Sequence, residues 1–315
     1  MAAATSPLPT PHDALGDDVL KRLAEREAEG RVDDLESLAG TLEAPRDRLA
    51  RTIEQLARDG WVVRAELRYE LTEAGRMRGR HLLRSHRLLE TRLARETGMA
   101  PEQWHAVADR AEHALTPEET NALADALGNP RFDPHGDPIP DRDGRFSPAA
   151  APTLLDWPEA QPALIVHLED EPPALYANLH RAGLAPGTIV HCAGRTVDGM
   201  HIEADGRTLM LSLGEADLVH VAAPAAGRVA TSRRRLADLP PGGEGVISAL
   251  APVIRGRARQ RLLDLGLLPG TRIVREFTAA LRSPIAFRVR GTLVALRREQ
   301  TEEILIEAGE GVTKL

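Results

Sequence analysis

The chain has 315 residues, of which 42% are hydrophobic and 28% are charged, and its formal net charge is −7. A chain of this length is expected to form two or three domains. No run approaches the roughly 18 apolar residues of a membrane span, and the first residues lack the basic start and apolar core of a signal peptide. Cys192 is the only cysteine, which excludes disulfides within the chain and indicates a reducing compartment. We therefore expect a cytoplasmic protein.

Three helical patterns open the chain. Apolar residues recur at helical spacing from Asp17 to Glu29, and Gly30 ends this pattern. Asp33 or Asp34 is placed to cap a second helix, and the third helix reads RDRLARTIEQLARDG. Two short helices with a tight link, the second of them basic on its outer face, indicate a helix-turn-helix. The alternating sequence WVVRAELRYELT that follows predicts two short strands, which form a wing.

A basic segment lies inside this acidic chain. Between Pro45 and Arg92 there are twelve arginines against seven Asp or Glu. The net charge of the whole chain is not that of a nucleic-acid binder, but a local excess of positive charge favours contact with phosphates. This segment is therefore the candidate for a phosphate-facing surface.

The stretch from His86 to His113 carries metal-type side chains on two helical patterns that Gly98 and Pro101 separate. Each set shares one helix face, because its members are spaced by three, four, seven or eight residues. The first set is His86 and Glu90, and the second is His105, Asp109, Glu112 and His113. Imidazoles and carboxylates that converge from two packed helices predict a site for a divalent transition metal. The alternative is two amphipathic helices with solvated polar faces.

The second half of the chain changes to a strand pattern and repeats itself. After a capping box at Thr116-Pro117-Glu118-Glu119, a segment rich in Pro, Asp and Gly from Arg131 to Pro162 predicts a linker. The sequence LHRAGLAPGTIV at 179–190 then matches LLDLGLLPGTRIV at 262–274. Two copies of about seventy residues predict two small β-barrels joined near 223–230.

These residues carry a family resemblance. Residues 18–140 resemble the metal-dependent repressors of the diphtheria-toxin-repressor family, which includes manganese-responsive members, through LTEAGR, HRLLE, WHAVADRAEHAL and FDPHGDPIP. The second half resembles FeoA-type SH3-like domains, most strongly through DLPPGGEG, RLLDLGLLPGT and FRVRGTLVALRR.

The resemblance completes the predicted architecture, an α+β multidomain chain. It implies a winged helix-turn-helix DNA-binding domain at 12–75, a helical metal-binding and dimerisation domain at 76–140, and a linker at 141–161. Two SH3-like barrels of the FeoA type follow at 162–223 and 233–310.

The resemblance also implies two metal sites that take Fe(II) or Mn(II), with one or two ions per subunit. The first would use His86, Glu90 and His105, with Glu171 of the first barrel as the best-placed additional donor. The second would use Asp18, Asp109, Glu112 and His113. Lys21 stands where manganese-responsive members have a second carboxylate, which argues against a full two-metal cluster.

The implied function is that of a homodimeric, metal-activated transcriptional repressor that binds double-stranded operator DNA and controls metal-homeostasis genes. The recognition helix would present Arg46, Arg48, Arg51 and Thr52. Arg51 and Thr52 would meet bases, whereas Arg64 and Arg68 on the wing would meet phosphates. For any one of these arginines the alternative is a solvated surface charge.

Two other functions remain open at this point. The FeoA-type half favours an interaction module of ferrous-iron transport, since Pro252 to Arg298 holds eleven arginines and only two Asp or Glu. A dinuclear metalloenzyme would use similar ligands, but no spare nucleophile or general base stands out, so we predict no catalytic residues. A gel shift with DNA, with and without Fe(II) or Mn(II), separates these functions.

Overall fold

The computed structural model describes residues 13–65, 68–147, 151–159, 161–225, 233–279 and 283–308. These residues form helices and three antiparallel sheets, so the predicted α+β class is confirmed. They divide into two compact units. The first comprises the described parts of 1–91, 105–133 and 137–150, and the second comprises those of 92–104, 134–136 and 151–315. Within the described residues no helix is both long and apolar enough to cross a membrane.

The first unit opens with three helices and a two-stranded wing, as predicted. These elements are α1 (Ala14–Ala28), α2 (Leu35–Thr41), α3 (Arg46–Arg58), β1 (Val62–Ala65) and β2 (Arg68–Leu71). Helix α1 begins three residues before the predicted start, because Asp13 caps it by accepting a hydrogen bond from the Gly16 amide. Asp34 caps α2 in the same way through Ser37. The predicted wing tip at 66–67 lies outside the described residues.

Three α-helices and a short 3-10 turn follow. They are α4 (Glu73–Glu96), the 3-10 turn (Pro101–Gln103), α5 (Trp104–Glu112) and α6 (Pro117–Ala126). The Thr72 hydroxyl accepts a hydrogen bond from the Gly75 amide at the start of α4, and the predicted capping box of Thr116 is present at α6. Gly79 lets α4 approach α1 closely, since a Cβ there would lie 2.3 Å from the backbone oxygen of Leu20.

The second unit contains a barrel-like five-stranded sheet with two helices. Its elements are β3 (Ala163–Leu168), α7 (Pro173–Arg181), β4 (Ile189–Thr196), β5 (Gly199–Ala204), β6 (Arg207–Ser212), α8 (Leu213–Asp217) and β7 (Val219–Ala222). The strands lie in the order β6-β5-β4-β3-β7. Alternate apolar side chains from these strands and from α7 form one buried core, which includes Ile165, Leu179, Val190 and Ile202.

A second sheet repeats this arrangement. Its elements are β8 (Arg233–Arg235), a 3-10 turn (Leu236–Asp238), β9 (Glu244–Leu250), α9 (Gly256–Asp264), β10 (Arg272–Thr278), β11 (Ile285–Val289), β12 (Thr292–Leu296), α10 (Arg298–Glu302) and β13 (Ile304–Ala308). The strand order β12-β11-β10-β9-β13 matches that of the first sheet, and β8 adds an edge. Asp205-Gly206 and Arg290-Gly291 both have positive φ, as tight hairpin turns require. The repeat seen in the sequence is therefore a repeat of structure.

The predicted linker at 141–161 is too long at its C-terminal end. Leu154 is only 1% exposed and belongs to the core of the first barrel, and Thr153 pairs with His220 of β7. The turn-rich composition of this segment indicates irregular backbone, but it does not show that a single apolar residue within it is buried.

Candidate metal centre

The first unit brings together the metal-type side chains of α1, α4 and α5. Their ligand atoms form three groups, and within each group all of these atoms lie within 4.8 Å of one another. The groups are His86, Glu90 and His105; Asp18, Glu112 and His113; and His86, Asp109 and Glu112.

The first group joins α4 to the start of α5. The Nε2 atom of His86 lies 3.1 Å from Glu90 Oε1 and 3.2 Å from His105 Nδ1. His86 and Glu90 are buried, whereas the side chain of His105 is 52% exposed. Burial alone would lower the pKa of His86, but Glu90 and Glu112 outweigh it and raise this pKa to about 10. Two imidazoles and a carboxylate, open to solvent on the His105 side, suit a borderline divalent ion.

The second group joins α1 to the end of α5, where His113 is the first residue after the helix. Asp18 Oδ1 is buried, accepts no hydrogen bond within the described residues, and lies 3.5 Å from His113 Nε2. Burial first, and then the charge of Asp109, raises the pKa of Asp18 to about 6. A buried carboxylate oxygen without a donor, beside an imidazole and Glu112, fits a cation. The residues present therefore suit a divalent metal.

Asp17, which no sequence motif singled out, orients the imidazole of this second group. The side chain of Asp17 is 1% exposed, and the Nδ1 atom of His113 lies 3.3 Å from its carboxylate. Arg78 of α4 holds the other side of Asp17 with contacts of 2.9 and 2.5 Å. A carboxylate that accepts Nδ1–H leaves Nε2 as the ring atom that faces Asp18. The only sequence signal is the position of Asp17 on the buried stripe of α1, three residues before Leu20.

Lys21 inserts an ammonium group among the carboxylates. Its Nζ atom lies 2.8 Å from Asp109 Oδ1 and 2.7 Å from Glu112 Oε1. Burial alone would lower the pKa of Lys21, but these two carboxylates raise it above its usual value. Asp109 thus groups with His86 and Glu112 and pairs with Lys21, and it falls outside the group that contains Asp18.

Glu112 connects the two sites. Its side chain is fully buried, its Oε1 faces Lys21, and its Oε2 lies 2.5 Å from His86 Nδ1. Glu112 therefore belongs to the second group, with Asp18 and His113, and also contacts His86 of the first group. The sequence predicted that Glu112 shares a helix face with Asp109, but it did not predict the contact with His86.

Glu171 lies in the second unit and its side chain is exposed. Within the described residues it belongs to no group of three metal-type ligand atoms. Its part in the first site stays a prediction.

The predicted DNA-contacting residues lie on α3 and the wing. Arg46, Arg48 and Arg51 are exposed and Thr52 is half-buried. Arg46 pairs loosely with Glu36 at 3.5 Å and Arg48 with Asp13 at 3.7 Å. On the wing, Arg64 and Arg68 are also exposed, so all five arginine side chains lie at the surface.

Two family profiles match the chain. One, described as "Iron dependent repressor, metal binding and dimerisation domain", matches residues 72–141. The other, the FeoA domain, matches twice, at residues 153–223 and 234–308.

Curated relatives include iron-dependent repressors. The chain is 33% identical over 122 residues to the iron-dependent repressor IdeR of Mycobacterium tuberculosis, across 38% of this chain and 53% of that protein. It is 29% identical over 185 residues to IdeR of Mycobacterium leprae, across 54% and 80%. The chain thus spans about half the length of the M. tuberculosis relative.

Solved structures show the same fold. A manganese-dependent transcriptional repressor in complex with manganese superposes with a TM-score of 0.60 and 26% identity, over 66% of this chain and all of that one. IdeR of T. acidophilum superposes with a TM-score of 0.53 and 24% identity, over 69% of this chain and all of that one.

Proposed function

We propose, from the premise that this chain belongs to the diphtheria-toxin-repressor family of metal-dependent regulators, that it is a cytoplasmic, homodimeric repressor of transcription activated by Fe(II) or Mn(II). The observation that carries the proposal is the group formed by Asp18, Glu112 and His113. Asp18 lies on α1, whose apolar face shares a core with the helix-turn-helix. The other two residues lie at the end of α5. A metal held there would couple the DNA-binding helices to the dimerisation helices.

The residues around this group prepare it for a cation. Asp18, Asp109 and Glu112 repel one another, and Lys21 neutralises only part of their charge. Asp17 and Arg78 fix the ring of His113 so that its Nε2 faces Asp18. A bound divalent ion would supply the missing positive charge. The metal-free protein would then be a looser ensemble, and DNA and metal would each strengthen the binding of the other, typically by about 1–3 kcal/mol.

The first group, His86, Glu90 and His105, is proposed to hold a second, more exposed ion. The third group differs, because the ammonium of Lys21 already contacts Asp109 and Glu112. We propose that Lys21 takes the place of a second metal beside Asp109. The donors are oxygen and nitrogen, without sulfur, which suits Mn(II) and Fe(II).

DNA would be read by α3 and steadied by the wing. In a homodimer, two copies of α3 would enter successive major grooves about 34 Å apart. Arg51 forms no ion pair within the described part of the chain, which leaves its guanidinium available for a base. Arg64 and Arg68 are proposed to contact phosphates. No catalytic role is proposed.

A second candidate function rests on the two FeoA matches and on the arginine-dense stretch 252–298 of the second barrel. This surface would bind an acidic partner in ferrous-iron transport.

The test is DNA binding measured by fluorescence anisotropy, with operators first selected from genomic fragments by the metal-loaded protein. Mn(II) or Fe(II) under anaerobic buffer should tighten specific binding, and a chelator should reverse it without unfolding the protein. His113→Ala should lose the metal response. His201→Ala, an imidazole change on β5 in the first barrel, is the matched control and should keep it. Specific binding that survives chelation unchanged contradicts the proposal.

A further inference from the structure

We propose that the first FeoA barrel contains a metal site of its own, formed by His167, Glu169 and His220, which binds a divalent first-row transition ion such as Zn(II). The three residues lie in the second unit, and their ligand atoms all fall within 4.8 Å of one another. None of them belongs to the sites described above. The inference stands whether or not the chain is a repressor.

The sheet brings the three side chains together. Strands β3 and β7 are antiparallel neighbours, and His167 lies opposite His220 in their register. Residues opposite each other on neighbouring strands point to the same face, and the two ring centroids are 5.2 Å apart. A bulge between Ile165 and His167 shifts the register there, as bulges do where a strand re-aims a side chain. Glu169 follows the end of β3, where its amide donates to Leu218.

The distances suit tetrahedral metal coordination better than hydrogen bonding. Glu169 Oε1 lies 3.5 Å from the Nε2 atom of His167 and 3.4 Å from that of His220. A good N–H···O hydrogen bond would be about 2.9–3.0 Å long. The ligands of a tetrahedral zinc, each about 2.0–2.1 Å from the ion, lie about 3.3–3.4 Å from one another. The two observed separations are close to that edge length.

The surroundings orient the imidazole of His220 and leave the site open to solvent. The Nδ1 atom of His220 lies 3.0 Å from the Ala151 carbonyl oxygen and donates its proton there, which leaves Nε2 as the atom that faces Glu169. The three side chains are 20%, 49% and 23% exposed. An ion can therefore enter from solvent and keep water in its remaining coordination position.

The competing explanation is a polar cluster in which protonated imidazoles alone balance Glu169. The two explanations differ in the number of ions bound. The probe is Zn(II), titrated calorimetrically into the metal-free full-length protein. Wild type should bind one more Zn(II) per chain than His220→Ala or Glu169→Gln, because the sites of the first unit remain in all three proteins. His201→Ala removes an imidazole of the same barrel outside the cluster and should match wild type. Equal stoichiometry in wild type and both site variants overturns the proposal.

Anomalous diffraction locates the ion directly and does not depend on how the variants fold. Crystals of the wild-type protein with Zn(II), measured at the zinc edge, should show a peak about 2.0–2.2 Å from both Nε2 atoms and from Glu169 Oε1. No peak there at a Zn(II) concentration that fills the sites of the first unit overturns the proposal. DNA binding is a separate measurement, so the repressor function and this site can fail independently.

Discussion

Replacing Lys21 by methionine should destabilise the metal-free protein and strengthen metal binding. The ammonium contacts Asp109 and Glu112 at 2.8 and 2.7 Å, and the side chains of Lys21 and Glu112 are 14% and 0% exposed. Removal of one partner from a fully buried pair costs about 3–5 kcal/mol. That figure is an upper limit here, because His86 stays 2.5 Å from Glu112 and the side chain of Asp109 is 41% exposed. The corresponding loss in melting temperature is at most roughly 6–20 °C for a domain of 150–250 residues.

The same change leaves two carboxylate oxygens free to bind a cation. Mn(II) should therefore bind Lys21→Met at least about tenfold tighter than wild type, a gain of about 1.4 kcal/mol, and restore part of the lost stability. The assay is thermal unfolding followed by circular dichroism, first with chelator and then across a range of Mn(II) concentrations. Because binding to the native state raises the free energy of unfolding with ligand concentration, the shifts yield the affinities.

The matched control is Arg22→Met on the same helix. Arg22 pairs with Glu25 at 3.2 Å and with the buried Asp33 at 3.3 Å, and neither carboxylate belongs to a candidate metal group within the described residues. This variant should lose stability but respond to Mn(II) as wild type does. If Lys21→Met kept wild-type stability without metal, or if both variants gained equally from Mn(II), the reasoning about Lys21 would be refuted.

Three further predictions concern the site and the DNA surface. The pKa of Asp18 is raised from 3.8 to about 6, so the metal-free native state holds this proton more tightly than the unfolded chain. The contribution of Asp18 to the stability of the native state should therefore fall as pH rises between these two values, and the affinity for Mn(II) should rise over the same window. Asp18→Asn should flatten both profiles in a pH-stepped titration. Asp17→Asn keeps the shape of the side chain but weakens its hold on His113. Changes to a residue that orients a metal-binding histidine cost about 10–100-fold in metal affinity, and unchanged calorimetric affinity would show that Asp17 has no orienting role. Arg51→Ala should cost about 1–3 kcal/mol and relax sequence preference, whereas Arg68→Ala should weaken all sequences alike and lower the salt slope by about one. Anisotropy titrations at several salt concentrations distinguish these two outcomes, and no effect of either change would place the recognition helix elsewhere.

The sequence by itself determined the elements and their kinds. The 3.6-residue apolar period predicts α1 to α5, and the Thr116 capping box fixes the start of α6. The internal repeat predicts two similar sheets, and both are present in the same strand order. These features are local: periodicity, caps and turns depend on residues within one or two turns of each other. The spacing of His86 with Glu90, and of Asp109 with Glu112, is local in the same sense, so the sequence placed each pair on one helix face.

Only the tertiary structure decided how these faces meet. Asp17 and Asp18 are adjacent in sequence, yet neighbouring residues of a helix point about 100° apart. Asp17 therefore contacts Arg78 and His113, while one buried oxygen of Asp18 accepts no hydrogen bond within the described residues. Lys21 lies 88 residues from Asp109, and no periodicity relates them. His167 and His220 come together because β3 and β7 are neighbours in the sheet. Such long-range contacts depend on how the faces of helices and strands pack against one another. The spacing of residues along the chain does not determine this packing.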